Sequence, residues 1–403
     1  MTRVRIASLI ADLGFGGSEN RLLSFASTID RSRFEHTVLT LYRREESQAL
    51  LVGSRRAAYA DASVEVIDMG ESPRQRILPS RHLADLARAA LTLRRLLQQL
   101  CGVIRHRRID LIDAQHATAA LMGTLAGALT RRPVTVTEYY PYYFDRPGMR
   151  LLGNAVFRRA EALICDSKAH SDLINRWMVR PHPRPVVIPN GIPVPVVTRT
   201  SAEMREQLAI PSDPTIRVVG QVSRLVPHKG QRVLLKAARS VLVEEPDTYF
   251  VITGYAGKDL SYIDQLKQDA CDLRIADRVR FVSWPGSIGD IWQLLDIHVH
   301  ASVEDSLPIA ITEGMSLGKP AVVTDVGGVR EMVTHEETGL VVPRHDPDAI
   351  AAGVLRLLRE PGTANRLGAA ALERYRRSYR PEVMTRALEN LFLDIVERRR
   401  SRA

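Results

Sequence analysis

Residues 298–342 alternate short apolar runs with proline and glycine turns, and this order restricts the fold more than any other feature of the chain. An apolar strand runs into an acidic loop. Pro308 then suits the first turn of a helix that ends at Gly318, a left-handed cap. Residues 320–324 form a second short apolar run, and a glycine pair leads into another helix and strand. Such alternation predicts a parallel sheet covered by helices.

The acidic loop of this stretch lies at the carboxyl end of a strand, where open α/β sheets bind ligands. Free N–H groups at Leu307, Ile309 and Ala310 can receive a phosphate at the start of the helix. Glu313, within the helix, can accept hydrogen bonds from sugar hydroxyls. The stretch predicts a nucleotide-sugar pocket, and an ordinary parallel-sheet unit with solvated acids is the alternative.

The same alternation occurs in two series of similar size, which indicates two domains in a chain of 403 residues. Residues 193–214 are rich in proline and are typical of a linker around a short helix. The predicted domains are residues 1–193 and 215–380, followed by a closing helix at 381–403. The simplest fold that accounts for both series is α/β, with two doubly wound domains that face each other across a cleft.

Composition excludes several classes of protein. The three cysteines lie far apart, which argues against a disulfide framework or a metal motif and for a reducing compartment. No apolar run reaches the roughly 20 residues of a membrane helix, and the first residues resemble a strand rather than a signal peptide. The net charge of +10 favours anionic partners. Nucleic acid is not an expected partner, because the aromatic residues are not interleaved with the basic ones.

Basic charge is concentrated between Arg74 and Arg108, a segment with nine arginines and one acid, Asp85. Leucines recur there at helical spacing, among them Leu93 and Leu97. Such a helix can rest on an anionic membrane surface, which would place the protein peripherally on the inner face of the membrane. The alternative is a helix that faces the core and exposes its arginines to solvent.

Several candidate residues follow strands of the first series. Gly16 and Gly17 lie in the turn after the first strand, where a ligand can approach the backbone closely. Gly17 or Ser18 is the expected cap of a helix over residues 20–27. His116 follows the fourth strand and points into the expected cleft, unless it is a structural histidine. Residues 139–144 form the densest aromatic patch, suited to stacking on sugars, to lying against lipid or to covering a core edge.

Two cations bracket the loop after the first strand of the second series. Arg224 and Lys229 lie between that strand and the N-terminus of a helix. Arginine binds phosphate through two parallel hydrogen bonds, whereas lysine acts as a point charge. The pair predicts a phosphate-binding loop.

The segments SRLVPHKG at 223–230 and SVEDSLPIAITEGMSLGKPAVVTDVGGVREMV at 302–333, followed by TGLVV, together resemble the retaining GT-B glycosyltransferases of the glycosyltransferase 4 type. The resemblance covers nearly the whole chain and implies that the second domain binds a nucleotide-diphosphate sugar. Arg224 and Lys229 would hold the diphosphate. Glu313 matches the second glutamate of the family's E-x7-E motif, which binds the ribose. Asp305 stands at the first position, where the family usually has Glu, and Glu304 is a substitute one residue out of register.

Other roles are also implied by the resemblance. The loop of Ser306, Leu307 and Ile309 would donate N–H groups to the β-phosphate, and the backbone near Trp284 would meet the base. Gly16 and Gly17 would approach the phosphate and the acceptor. His116 would contact the donor sugar near the reacting carbon, whereas Glu138 stands where the family often has a further histidine. The predicted catalytic residues are His116, Arg224, Lys229, Asp305 and Glu313.

The expected reaction is a transfer with retained anomeric configuration to a saccharide or lipid-linked acceptor in cell-envelope or polysaccharide biosynthesis. Cations and N–H groups would stabilise the leaving phosphate. No Asp-x-Asp constellation stands out, so neither a metal nor another cofactor is expected. Relatives of this type carry the last helix back to the first domain. The alternatives are a nucleotide-sugar epimerase and a non-catalytic sugar-nucleotide-binding subunit.

Overall fold

The chain divides into two compact units in the computed structural model. The first unit consists of Met1–Gly191 and Pro381–Ala403, and the second of Ile192–Arg380. The structure describes residues 3–14, 16–42, 56–71, 83–139, 147–177, 183–254, 261–284 and 286–402.

The first unit contains one sheet of seven parallel strands in the order β3-β2-β1-β4-β5-β6-β7. Its strands are β1 (Val4–Ile10), β2 (Phe34–Tyr42), β3 (Glu65–Glu71), β4 (Leu111–Gln115), β5 (Val134–Glu138), β6 (Ala162–Cys165) and β7 (Val186–Val187). The described helices of this unit are α1 (Gly17–Thr28), α2 (Arg56–Asp61), α3 (Leu83–His106), α4 (His116–Thr130), α5 (Pro147–Phe157), α6 (Lys168–Trp177) and, from the end of the chain, α15 (Pro381–Arg400).

The second unit contains one sheet of six parallel strands in the order β10-β9-β8-β11-β12-β13. Its strands are β8 (Arg217–Val222), β9 (Thr248–Thr253), β10 (Val279–Val282), β11 (Ile297–His300), β12 (Ala321–Thr324) and β13 (Leu340–Val342). The described helices are α7 (Ser201–Gln207), α8 (Gln231–Glu244), α9 (Ser261–Asp272), α10 (Ile288–Leu294), α11 (Ile309–Ser316), α12 (Val329–Met332), α13 (Pro347–Arg359) and α14 (Pro361–Ser378), with short 3₁₀ turns at Pro227–Lys229 and Ala276–Arg278.

Both strand orders follow the doubly wound pattern, which confirms the predicted pair of Rossmann-like folds. Strands β4, β9, β11 and β12 are buried along their whole length, because helices cover both faces of a parallel sheet. In each unit the strand order reverses once, between β1 and β4 and between β8 and β11. Ligands bind at such reversal points, beyond the carboxyl ends of the strands.

Helix α15 is part of the first unit although it ends the chain. Its apolar face joins the core formed by β1, β2 and α1, where Phe392 meets the ring of Phe25 edge-on at a centroid distance of 5.8 Å. Glu389 also accepts a hydrogen bond from the backbone N–H of Asp30, at 2.7 Å. The sheet of the first unit is therefore covered on one face by segments from both ends of the chain.

Residues 193–214 lie in the second unit and take part in its core. Helix α7 begins with a capping box, in which Thr200 and Glu203 exchange side-chain and backbone hydrogen bonds. Met204 is fully buried among apolar residues of β8, β9 and α10. Prolines indicated a linker in the sequence, but the apolar positions of this segment fix it to the sheet.

Candidate functional site

The candidate site of the second unit lies where the loops after β8 and β11 meet. The N–H of Val303 donates to the carbonyl of His228 at 2.9 Å and ties the two loops together. Gly230, between the 3₁₀ turn and α8, has a φ of +71°. A Cβ there would come within 1.9 Å of the carbonyl oxygen of Ala301, so only glycine lets the loops approach this closely.

Lys229 is fixed at both ends in this loop. Its carbonyl accepts a 2.6 Å hydrogen bond from the amide of Gln221, a fully buried side chain on β8. Its ammonium forms an ion pair with the carboxylate of Asp305, across the strand reversal. The structure thus brings together two residues that lie far apart in the sequence and that the sequence predicted for one site.

Asp305 accepts from several neighbours besides Lys229. One carboxylate oxygen, Oδ2, also lies 3.2 Å from His300 Nε2 and accepts from Ser302 Oγ at 3.3 Å. The other, Oδ1, accepts from the N–H of Ser306 at 3.2 Å. Burial alone would raise the pKa of Asp305, but the Lys229 ammonium and His300 outweigh it, and the net pKa lies well below its usual range. The carboxylate is therefore ionised at neutral pH.

Arg224 extends from the same loop and is exposed. Its carbonyl is held at 2.7 Å by the amide of Gln231, the first residue of α8. Its guanidinium forms no ion pair with any residue that the structure describes. The backbone is thus fixed while the cation remains available to an anion, and the pKa of the adjacent His228 is lowered by burial and by Lys229 and Arg224.

Glu313 lies within α11, as predicted, and its Oε2 accepts a 3.0 Å hydrogen bond from the indole of Trp292. That indole meets the ring of His298 nearly at right angles, with centroids 4.8 Å apart. Burial lowers the pKa of His298 to about 3, so its imidazole is neutral. Trp292 and His298 were not predicted as part of the site. The sequence signal that could have indicated them was their bulk, since both are large side chains on neighbouring elements that point toward the same helix.

The start of α11 differs by one residue from the sequence-based expectation. Pro308 has a β-region conformation and is the N-cap, so Ile309, rather than Pro308, is the first helical residue. Helix geometry leaves the N–H groups of Ile309 and Ala310 without an intrahelical partner. Leu307 is buried, Ser306 is half-buried and Glu304 is exposed. The other end agrees with the prediction, because Gly318 has a φ of +64°.

Trp284 follows β10 and is half-buried. Its indole N–H donates to the carbonyl of Ser287 at 3.0 Å, and the guanidinium of Arg199 lies 5.2 Å from its ring centroid. These contacts fix the ring at the end of the strand. The backbone of this turn is the part predicted to meet a base.

In the first unit, α1 begins at Gly17 with Gly16 as N-cap. The predicted helix started at Asn20, with Gly17 or Ser18 as the cap. The hydroxyl of Ser18 instead donates to the carboxylate of Glu19 at 2.6 Å, so no side chain caps the helix. Both glycines lie just beyond the carboxyl end of β1, at the strand reversal.

His116 is the first residue of α4 and has a φ of +62°, a left-handed conformation that costs about 1 kcal/mol for a residue with a Cβ. Its ring lies against that of Tyr139, with centroids 4.7 Å apart. Burial lowers the pKa of His116, and the carboxylate of Glu19 raises it by less. A strained, neutral imidazole at a strand end is typical of a functional position.

A buried charged cluster that the sequence did not predict surrounds this position. Arg21 is 2% exposed, lies 5.6 Å from the ring centroid of Tyr139 and contacts Asn190 at 3.5 Å. Asp166 lies 3.3 Å from the Nδ1 of His170. Among the described residues of this cluster, three buried side-chain atoms lack a hydrogen-bond partner, namely Nη2 of Arg21, Oε2 of Glu138 and Nε2 of His170.

Some predicted features lie partly outside the described residues. The aromatic residues Tyr140, Tyr142, Tyr143 and Phe144 are among these, and so are Arg74, Arg76 and Arg81 of the basic segment. One face of α3 packs against the core, because Leu96, Leu100 and Ile104 are buried and Leu93 and Leu97 pack against the same core. Leu91 and Arg94 are exposed on the other face.

Neither a metal cluster nor a membrane-spanning helix is found in the described part of the chain. No three His, Cys, Asp or Glu side chains there are grouped so that they could hold a metal ion. None of the helices described combines the length and the hydropathy needed to cross a bilayer.

Two protein-family models match the chain. The model for glycosyl transferases group 1 matches residues 200–374, and the model for Glycosyltransferase Family 4 matches residues 15–194. One model therefore falls largely on each structural unit.

Two curated relatives are named D-inositol 3-phosphate glycosyltransferase. The one from Rhodococcus jostii is 30% identical over 56% of this chain, and the match spans about half of that protein's length, 51%. The one from Salinispora tropica is 27% identical over 88% of this chain and 81% of its own. Among solved structures, Anabaena HepE in complex with UDP and glucose has a TM-score of 0.78 at 21% identity, over 97% of this chain and 99% of that one.

Proposed function

Because the chain belongs to the GT-B glycosyltransferases of the glycosyltransferase 4 type, we propose that it transfers a sugar from a nucleotide-diphosphate donor to a saccharide or lipid-linked acceptor. The observation that carries the proposal is the convergence of Arg224, Lys229 and the start of α11 at one strand reversal. Two cations and unpartnered helix N–H groups form a site for a diphosphate. The proposed donor-binding unit is the second, and the proposed acceptor-binding unit is the first.

The proposed donor carries UDP or GDP. UDP is the first choice because HepE, which has the same fold, was solved with UDP and glucose. Glu313 is proposed to bind the ribose, the backbone near Trp284 the base, and Ser306, Leu307 and Ile309 the β-phosphate. The sugar that is transferred is the ligand proposed for His116, and Gly16 and Gly17 are proposed to approach the phosphate and acceptor.

The proposed mechanism retains the anomeric configuration and needs no metal. Cleavage of the bond between sugar and diphosphate builds negative charge on the leaving phosphate, and fixed cations stabilise that charge where it develops. Lys229 and Arg224 supply two such cations. A phosphate oxygen of the donor is the proposed base for the acceptor hydroxyl.

Calorimetric titration with UDP, GDP and ADP tests the donor site. We expect one nucleotide to bind selectively, and Lys229→Ala to weaken its binding by about tenfold or more, since a charge-assisted contact is lost. Lys236→Ala, at an exposed lysine of α8, is the matched control and should bind like the wild type. If none of the three nucleotides binds, the proposed function is wrong.

Transfer from a labelled donor to a membrane extract tests the reaction itself. A labelled glycan or lipid product with the donor's anomeric configuration supports the proposal. An isomerised donor without an acceptor product identifies an epimerase instead. Nucleotide binding without turnover of any donor identifies a non-catalytic binding subunit, the alternative for which the Asp at position 305 and Glu138 are the arguments.

We also propose that the protein is cytoplasmic and rests on the inner face of an anionic membrane through α3. Leu91, 66% exposed, and Arg94 lie one turn apart on the outer face of this helix. Vesicle flotation tests this. The protein should float with phosphatidylglycerol vesicles but not with phosphatidylcholine ones, and the double change Leu91→Glu with Arg94→Glu should abolish flotation. Equal flotation of wild type and variant would contradict it.

A further inference from the structure

The protein itself engages both oxygens of the Asp305 carboxylate. An ionised carboxylate offers about four lone-pair directions. Lys229 and Ser302 donate to Oδ2, which also lies near His300 Nε2, and the N–H of Ser306 donates to Oδ1. All four neighbours belong to the protein, so both carboxylate oxygens are already engaged within it.

The loop that carries Asp305 is also held in place by its backbone. The N–H of Gly328 donates to the carbonyl of Ser306 at 2.7 Å, and the hydroxyl of Thr324 donates to the carbonyl of Ser302 at 2.5 Å. A Cβ at Gly327 would come within 2.0 Å of the carbonyl oxygen of Asp305. These contacts surround the loop on two sides, so Asp305 keeps its present direction.

Because the ion pair between Asp305 and Lys229 is buried, each charge depends on the other. The side chains of Lys229 and Asp305 are 13% and 14% exposed, and His300 beside them is 1% exposed. A charge with so little access to water needs a partner, and removing that partner leaves it uncompensated. The ammonium therefore depends on Asp305 for its place at the end of β8.

Side-chain length supports the same conclusion. A glutamate, which the family usually has at this position, would carry its carboxylate one methylene further than Asp305. The shorter aspartate is the side chain whose carboxylate meets the lysine.

We propose that Asp305 is a positioning residue, whose carboxylate holds the Lys229 ammonium where the donor diphosphate binds and makes no contact with the donor sugar. This inference rests on the proposed function, and it deepens it. Glu304, exposed beside Asp305, and Glu313 are the remaining acids of this loop and helix for the sugar and ribose hydroxyls.

Calorimetry on the full chain tests the proposal with three ligands that share one base: the nucleoside monophosphate, the diphosphate and the diphosphate sugar. Asp305→Asn is expected to weaken the diphosphate and the diphosphate sugar by the same factor, about tenfold, and to leave the monophosphate unchanged. In a Lys229→Ala background Asp305→Asn should have no further effect, because its action passes through the lysine. Asp269→Asn, at an exposed ion pair of α9, removes the same charge and should change nothing.

Three outcomes would overturn the proposal. If Asp305→Asn weakens only the diphosphate sugar, Asp305 binds the sugar and the proposal is overturned. The same holds if Asp305→Glu binds the diphosphate sugar more tightly than the wild type does. Additive losses in the double variant would also overturn it.

A second measurement needs no nucleotide, and so it separates failure of this inference from failure of the proposed function. Amine-selective acylation followed by mass spectrometry reports the access of each lysine. Asp305→Asn should increase the labelling of Lys229 several-fold relative to exposed Lys236, as the freed ammonium reaches solvent. Unchanged labelling of Lys229 would overturn the proposal, whether or not any nucleotide binds. Thermal unfolding of the variant is the check that it is folded.

Discussion

Single buried side chains carry much of the electrostatic character of the first unit. Burial raises the pKa of Glu138 to about 7, whereas the charge of His170 lowers it by less. Asp113, on β4, accepts hydrogen bonds from Ser8, Gln115 and two threonines of β5, yet burial still raises its pKa. Because Glu138 holds its proton up to about pH 7, this unit is sensitive to pH.

Glu138 gives the sharpest pH dependence. Folded, it keeps its proton to about pH 7, while an unfolded glutamate loses it near 4.5. The folded state binds more protons between these values, so the free energy of unfolding falls as pH rises from about 4.5 to about 7. Glu138→Gln should lack this fall. Its free energy of unfolding relative to that of the wild type should therefore rise by on the order of 3 kcal/mol between pH 4 and pH 8.

Urea titrations of both proteins at pH 4 and pH 8 check this expectation. Glu65→Gln, at an exposed glutamate of the same unit, controls for the loss of one carboxylate. If the difference in unfolding free energy between Glu138→Gln and wild type is the same at both pH values, the prediction is wrong.

A substitution at His116 can separate an effect on sugar transfer from an effect on stability. Its left-handed backbone suits glycine, so His116→Gly relieves the conformation while deleting the imidazole. We expect a thermal stability within about 1 kcal/mol of the wild type and a transfer rate reduced by about tenfold or more. Initial rates and thermal midpoints check this, with nucleotide binding retained. A variant that transfers at the wild-type rate would make His116 a structural residue.

The sequence predicts which residues lie at strand ends, and it predicts poorly which polar side chains of helices are buried. Lys229 and Asp305 each lie in a loop after a strand, and the resemblance to the family put both in the donor site. The structure joins them in an ion pair. Arg21 and His170 were missed because they lie within helical segments, where an arginine or a histidine ordinarily faces solvent. Only the packed structure shows that these side chains point inward.

At the scale of elements, the junction of the 3₁₀ turn and α8 depends on one residue. Gly230→Ala would place a Cβ against the Ala301 carbonyl in a left-handed conformation. We expect a loss of on the order of 2–4 kcal/mol in stability. Loss of nucleotide binding should follow as Lys229 moves. Denaturant unfolding and calorimetry check both effects.

Gly362→Ala is the matched control for Gly230→Ala, in the same unit. Gly362 lies in α14 with open space around its Cα, so alanine is expected to be neutral or stabilising by up to about 1 kcal/mol. If both variants lose stability equally, the close approach at Gly230 is not the cause.

Element types were predictable here, and element ends less so. The strand and helix alternation of residues 298–342 was confirmed, because apolar periodicity and turn residues agree there. The start of α1 was misplaced by three residues, since glycine serves as N-cap without a side-chain signal. Residues 193–214 were taken for a linker because proline content is local information, whereas burial of Met204 depends on the sheet.

At the scale of the whole molecule, the two units differ in continuity. The second unit is one uninterrupted segment with its own core, and it contains Arg224, Lys229, Asp305 and Glu313. The first unit needs α15, whose residues Met384, Leu388, Phe392, Ile395 and Val396 are buried in its core. Burial of five such side chains contributes on the order of 10 kcal/mol.

This difference predicts how fragments behave. A chain of residues 192–380 is expected to fold alone and to bind the nucleoside diphosphate within about threefold of the full chain's affinity. Removal of residues 381–403 from the full chain should unfold the first unit and leave the second folded. Circular dichroism and calorimetry on both fragments check this. A folded first unit in the truncated chain would contradict it.

Helix α15 also has a consequence for the order of events during synthesis. A ribosome makes the amino-terminal part first, yet that part lacks the surface that covers Phe25 until residues 381–400 emerge. The unit translated later is thus complete earlier, and the one translated first waits with an exposed apolar face. During that interval the nascent chain exposes a surface that chaperones bind, and the speed of translation through residues 192–400 sets how long the interval lasts.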